Sequence, residues 1–208
     1  MSLVLHTLRC VGTAGEERLA SVTGLARDEV TRDLAALAES DLVVSDPGPF
    51  GGWSITNLGR GEDDEMLRAE IASPGSRALV SNAYQVFLAL NPVLLSVCSD
   101  WQMRRIGNSP VLNDHSDTEY DVVVLDRLGR VHDDVTAILD DLIGAFGRFA
   151  MYQVRLDTAL EGALGGRVEA VADSFDSYHS VWFQLHEDLL TTLGLSREDE
   201  RRRLAGEV

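Results

Sequence analysis

The stretch Thr13–Ala38, TAGEERLASVTGLARDEVTRDLAALA, decides how the first part of this 208-residue chain folds. Thr13 and Glu16 have the spacing of a capping box, in which a hydroxyl and a carboxylate satisfy each other's free amides at a helix start. A helix is expected from there, carrying Leu19, Ala20 and Val22 and stopping at Thr23-Gly24-Leu25. After the glycine, Val30, Leu34, Leu37 and Ala38 recur at the spacing of one buried helical stripe. Small Ala20 lets the two helices cross closely, Gly24 permits a sharp turn, and Leu25, Val30 and Leu34 fill the space beneath it. The pair has helix-turn-helix spacing.

On the amino-terminal side, Leu3, Val4, Leu8 and Val11 predict a first helix that stops at Gly12. On the other side, Leu42 to Thr56 holds two short apolar runs around Ser45-Asp46-Pro47-Gly48-Pro49-Phe50-Gly51-Gly52, the pattern of a small hairpin. Thr56-Asn57-Leu58-Gly59-Arg60 then opens another helix, and Ser73-Pro74-Gly75 punctuates the chain. A boundary is placed there, giving domains 1–75 and 76–208. The order of elements resembles that of winged-helix regulators, and Trp53-Ser54-Ile55-Thr56-x-x-Gly59-Arg60 is similar to the way the wing returns in MarR-like proteins. The fold class expected is therefore mainly α with a small β-hairpin wing: an amino-terminal winged helix-turn-helix followed by an all-helical domain.

In such folds the third helix enters the major groove of double-stranded DNA. The resemblance places Arg27, Asp28, Thr31, Arg32 and Ala35 on that face, off the Val30, Leu34, Leu37 stripe. Arg27 and Arg32 are the reading candidates, because a guanidinium can donate two bonds to guanine. Asp28 and Glu29 repel phosphates, and a solvated face with i, i+4 pairs such as Asp28 with Arg32 explains the same residues. The wing holds no cation between Ser45 and Gly52. Position 26, where this fold usually places a capping hydroxyl or carboxylate, is alanine, at a cost of about 1 kcal/mol.

From Ser76 onward about five helices are expected. The longest, Thr118 to Phe146, has a seam of Val124, Leu128, Val131, Val135, Ile138, Leu142 and Phe146, which is covered either by its own domain or by a second copy in a homodimer. Asn91-Pro92 reads as the N-cap and first turn of a helix ending near Trp101–Arg104, followed by a loop from Arg105 to Asp117. In the last major helix, about Phe175 to Leu193, two adjacent apolar rows imply deep burial. Tyr178, His179, Trp182 and His186 carry polar tips along that wall, and Trp101 and His132 are expected to face them, together forming a pocket for a small-molecule effector. His179 and His186 lie about 10 Å apart along the axis, too far for one metal to hold both. Core histidines bonded to backbone or carboxylates are the plainer reading.

Asn113 to Asp121 and Asp176 to Leu190 resemble the signature segments of a group of actinobacterial proteins described as winged-helix or MarR-like transcriptional regulators, a resemblance that implies no ligand or reaction.

Composition bounds the function classes. Thirty-four acids face 18 arginines and no lysine, a net charge of −16, so the surface as a whole does not coat nucleic acid or an anionic membrane. The segment 1–75 holds 6 arginines against 13 acids, so the expected reading head is not basic either. The longest apolar run, Val86 to Val97, is interrupted at Asn91-Pro92, which predicts no membrane span, and the first residues read without a secretion signal. A cytoplasmic protein is expected, with Cys10 and Cys98 outside any disulfide framework. No nucleophile motif, P-loop or dinucleotide fingerprint is present, so neither an enzyme, a cofactor nor a metal is expected. The function expected is a DNA-binding regulator with a helical sensing or dimerisation domain; the alternative is an interaction module whose winged helix no longer binds DNA.

Overall fold

A computed structural model of the chain describes residues 2–48 and 51–205. The described chain is mainly helical with two small antiparallel hairpins. It forms two compact units, one of Met1–Val80 with Glu187–Val208, the other of Ser81–His186. A single cut near residue 75 does not describe this division, because the chain's last segment returns to the first unit. Neither boundary lies in a loop: residues 80 and 187 fall inside helices.

In the first unit, α1 (Leu3–Val11) is capped by Ser2, whose hydroxyl accepts from the Leu5 amide at 3.3 Å. Val4, Leu5, His6, Thr7, Leu8 and Cys10 are all buried, which is burial almost all round the helix rather than along one stripe. Helix α2 (Glu16–Thr23) and α3 (Arg27–Glu39) flank it and bury Leu19, Val22, Val30, Leu34 and Leu37. Between them Gly24 sits at φ +72°, the left-handed region that glycine enters without steric cost.

The expected capping box at Thr13 does not form. Gly15 is the N-cap of α2, and the Thr13 hydroxyl instead bonds that of Ser54 at 2.7 Å. The neighbouring Ala14 exchanges backbone bonds with Trp53 at 2.9 and 3.0 Å, so this segment adds a rung to the hairpin rather than a turn to the helix. At the start of α3, the Glu29 side chain accepts from the Ala26 amide at 3.0 Å, while the alanine, without a side-chain oxygen, accepts from the Glu29 amide only through its backbone carbonyl at 2.9 Å.

Strands β1 (Val43–Asp46) and β2 (Gly52–Ile55) pair antiparallel, Val43 opposite Ile55 and Asp46 opposite Gly52. Pro49 and Phe50 at the hairpin tip lie outside the described residues. Thr56 caps α4 (Asn57–Glu70) by accepting from the Gly59 amide at 3.0 Å. Gly59 itself is required by packing, since a Cβ there would stand 2.1 Å from the Leu42 carbonyl oxygen.

Helix α5 (Pro74–Gln102) begins at Pro74, with the Ser73 hydroxyl accepting from the Ser76 amide. It runs unbroken through Asn91-Pro92, where the sequence reading placed a helix start. An interior proline removes one helical bond and crowds the preceding turn, at about 3 kcal/mol. Burial of Phe87 and Leu94 on either side, and a bond from the Trp182 indole to Asn91 Oδ1 at 3.0 Å, hold the two halves in line. By length and composition this helix could cross a membrane. Core helices pass the same criterion, and Tyr84, Phe87, Leu94, Val97 and Trp101 form a buried stripe along it.

The expected loop at 105–117 is in part a second hairpin, β3 (Met103–Ile106) and β4 (Ser109–Leu112), joined by Gly107-Asn108 with Gly107 at φ +61°. Helix α6 (Thr118–Ala145) is capped by Asp117, which accepts from the Tyr120 amide. Its seam is buried within the chain itself, with Leu139 taking the place expected for Ile138. Helices α7 (Ala150–Leu164) and α8 (Tyr178–Leu193) complete the second unit. From Glu187 onward α8 belongs to the first, as does α9 (Arg197–Leu204). Phe175, expected in the row with Tyr178, Trp182, Leu185 and Leu189, precedes α8 and is exposed, and Phe183, expected in the row with His179, His186 and Leu190, is half exposed, so neither expected apolar row is buried throughout.

Candidate functional site

Helix α3 turns Arg27, Asp28, Thr31, Arg32 and Ala35 to solvent, because Val30, Leu34 and Leu37 commit the opposite face to the core. Two of these side chains are engaged by α2: the Thr31 hydroxyl donates to Glu16 Oε2 at 2.8 Å, and Arg27 Nε lies 3.9 Å from the same oxygen. Arg32 Nε donates to the Asp28 backbone carbonyl at 3.2 Å. The expected Asp28–Arg32 charge pair is thus replaced by a bond from the guanidinium to the main chain. An exposed ion pair such as Arg27–Glu16 contributes little, about 0 to 1 kcal/mol, so an incoming anion can displace it. Asp46 is the only charged residue on the two hairpin strands.

Four of the six residues expected around an effector, His132, Tyr178, Trp182 and His186, are linked in one row, with Tyr178 stacked on Trp182 at a centroid distance of 6.4 Å. His132 Nδ1 lies 3.4 Å from the Tyr178 hydroxyl, and its Nε2 lies 3.2 Å from Asp157 Oδ1. Asp157 lies on α7. Burial raises the Tyr178 phenol well above its ordinary pKa, so it remains a donor. Trp182 stacks on Phe87 with centroids 4.4 Å apart, and Phe87 in turn meets the His186 ring at 4.9 Å. Trp101 stands apart, donating to the Val168 carbonyl at 3.0 Å and facing His115. His179 is only half-buried at the first turn of α8. The indole and phenol tips are thus bonded inside the unit. A groove of about 490 Å³ in this unit is lined instead by Val122, Leu125, Gly129, Arg130, Leu160 and Leu164, with Asp126 and Asp133.

A different cluster, which the sequence reading missed, lies in the first unit. His6 is fully buried with carboxylates on both ring nitrogens. Nδ1 lies 3.1 and 3.2 Å from the two oxygens of Asp63 on α4, and Nε2 lies 3.1 Å from Asp188 Oδ2 on α8. Both aspartates are fully buried too. Cys10 Sγ, one helical turn from His6, is 3.6 Å from the same Nε2. Asp188 Oδ1 is held by the Thr192 hydroxyl at 3.0 Å, and Arg9 closes the outer side, 3.7 Å from Asp63 and 2.7 Å from Asp64. Burial alone would lower the His6 pKa. The Cys10 and Asp188 charges, with bonds to Asp188 and Asp63, outweigh it and hold the imidazole well above its ordinary value. His6, Cys10 and Asp188 are the residues here that could hold a metal ion. The one local signal in the sequence was the four-residue spacing of His6 and Cys10; Asp63 and Asp188 lie too far along the chain to be linked to them by pattern. Comparison with family models, with curated proteins and with solved structures finds no match.

Proposed function

We propose that this chain is a cytoplasmic, DNA-binding transcriptional regulator of winged-helix type, in which α3 reads the major groove and the β1–β2 hairpin is the wing. The observation that carries this reading is the outer face of α3. Arg27 and Arg32 stand five residues, about 1.4 turns, apart, both exposed on a helix whose inner face is fixed by the core, after a glycine turn and before a hairpin. In that arrangement guanidinium groups reach guanine edges, and Thr31 assists at a neighbouring position. The wing supplies little phosphate contact, so affinity comes mainly from α3 and from pairing of two heads on a symmetric site. The regulator is accordingly a homodimer. Its contact surface is not the α6 seam, which the chain covers itself.

The reading as an interaction module has one specific support: Glu16 already accepts from Thr31 and neighbours Arg27, which gives the face a built-in acidic competitor. Selection from a random duplex library at low salt separates the two. A regulator enriches a sequence with a two-fold pattern, and Arg32→Ala then relaxes one base position in each half at a cost of about 1 to 3 kcal/mol. Enrichment of no sequence leaves the interaction module.

A further inference from the structure

We infer that His6, Cys10 and Asp188 form a binding site for one divalent metal ion of the zinc class, with Asp63 as the carboxylate that orients His6. The argument begins with the ring of His6. A neutral imidazole has one N–H and one lone pair, yet both nitrogens face ionisable carboxylates at 3.1 Å. Ionised, these carboxylates are acceptors only, so a neutral ring cannot satisfy both. Something positive must lie between Nε2 and Asp188, either a proton or a metal ion.

The third group distinguishes them. A proton on Nε2 serves Asp188 and is shared only weakly with the Cys10 sulfur at 3.6 Å, whereas a metal takes all three groups as full ligands. For tetrahedral zinc, with bonds of about 2.0 to 2.1 Å to nitrogen and oxygen and about 2.3 Å to sulfur, nitrogen and sulfur ligands stand about 3.6 Å apart and nitrogen and oxygen about 3.4 Å apart. The separations here are 3.6 Å from Nε2 to Sγ and 3.1 Å from Nε2 to Asp188 Oδ2. The three ligand atoms all lie within 4.8 Å of one another.

The surrounding groups act as supports to such a site. Asp63 accepts from Nδ1–H and so turns the Nε2 lone pair inward, the carboxylate–histidine arrangement that fixes ligating imidazoles. Thr192 occupies Asp188 Oδ1, which leaves Oδ2 as the ligand. His6 and Cys10 face the same way because they are four residues apart on α1. A mixed nitrogen, sulfur and oxygen set suits zinc over magnesium or calcium, and three protein ligands leave a fourth position for solvent. The ion's two charges meet those of Asp188 and a Cys10 thiolate, while Arg9 lies between Asp63 and the outer carboxylate of Asp64. Arg9, which pairs with Asp63, also lines a groove of about 380 Å³ with Asp64, Arg68, Thr191, Ser196 and Asp199.

The site does not depend on the DNA-binding reading; a chain that takes up metal and binds no DNA retains it. The test uses the full chain, stripped of metal by a chelator and titrated with cobalt(II) as a coloured substitute for zinc. One equivalent is expected to bind, giving a near-ultraviolet thiolate-to-cobalt band and the visible absorption of a tetrahedral ion, both erased by one equivalent of zinc. Cys10→Ala should abolish the thiolate band and Cys98→Ala should keep it. Asp63→Asn should keep the band and weaken binding about 10- to 100-fold. Circular dichroism identifies any variant that fails to fold, and the folded wild-type chain decides the matter by itself: no cobalt spectrum and no stoichiometric zinc overturns the site. A thiolate band that survives in folded Cys10→Ala, or disappears in folded Cys98→Ala, overturns it equally.

Discussion

The outer face of α3 and the inner face of α1 both carry ionisable side chains, and they differ in what it costs to put them there. On α3, Arg27, Asp28 and Arg32 remain in water, where charges are well solvated and pairs add little. On α1, His6 meets two aspartates with no solvent contact, and each ion taken out of water carries a penalty of several kcal/mol unless opposite charge and hydrogen bonds offset it. An exposed charged face is therefore compatible with many functions, whereas a buried charged cluster constrains its occupants closely. The α3 face takes its meaning from the element order around it; the α1 cluster carries its chemistry in its own distances.

The largest expected difference between the two regions is in stability. Asp188→Ala leaves His6 Nε2 without its carboxylate partner and should destabilise the first unit by about 3 to 5 kcal/mol, whereas Asp28→Ala on α3 should stay within about 0.5 kcal/mol. Urea denaturation measures both, and equal costs would collapse the comparison. A middle-sized effect runs the other way. Arg27→Ala and Arg32→Ala should leave the urea midpoint nearly unchanged while each weakens binding to a selected duplex by about 1 to 3 kcal/mol.

A smaller effect is expected with pH in the metal-free chain. The folded His6 pKa lies above its ordinary value of 6.5, so the stability it contributes is fully present below pH 6.5 and is lost as pH rises through the raised value. Urea midpoints should fall across that window, and His6→Asn should flatten the fall; a wild-type midpoint that rises there contradicts the charged cluster. The smallest effect concerns the second thiol. Burial is the main cause pushing the Cys98 thiol up to about 12, so it should resist iodoacetamide at pH 8 in the folded chain and react on unfolding. Mass spectrometry reads this directly, and rapid labelling of folded Cys98 would contradict its burial.

The α2–α3 pair, the hairpin and the Thr56 cap were legible in the sequence because each is fixed by residues within a few positions of one another. Local reading failed where a distant partner decided the outcome. Thr13 has the spacing of a cap, but Ser54 takes its hydroxyl, and Pro92 reads as a helix start, but packing around Asn91 carries α5 through it. The β3–β4 hairpin was not expected, although Gly107-Asn108 is a favourable two-residue turn, because the flanking strands Met103–Ile106 and Ser109–Leu112 are short and carry no clear apolar alternation. For the site residues, sequence periodicity correctly turned Arg27, Thr31 and Arg32 outward. It could not assemble His6, Asp63 and Asp188, which three different helices bring together. The amphipathic reading of α1 also hid His6, since a helix buried nearly all round carries polar residues on faces that a stripe analysis assigns to solvent.

The central claim is that α3 reads duplex DNA, and equilibrium binding of the wild-type chain and the Arg27→Ala, Arg32→Ala double variant to one selected duplex and its scrambled counterpart tests it most directly. With both proteins equally folded, the wild type should prefer the selected duplex, with log affinity falling against log salt at a slope of about −2 to −4, as expected for the few phosphates two such heads can neutralise. The double variant should lose the preference. Equal binding of both duplexes by both proteins, or no binding at low salt, would contradict the claim and leave α3 as a surface for another protein.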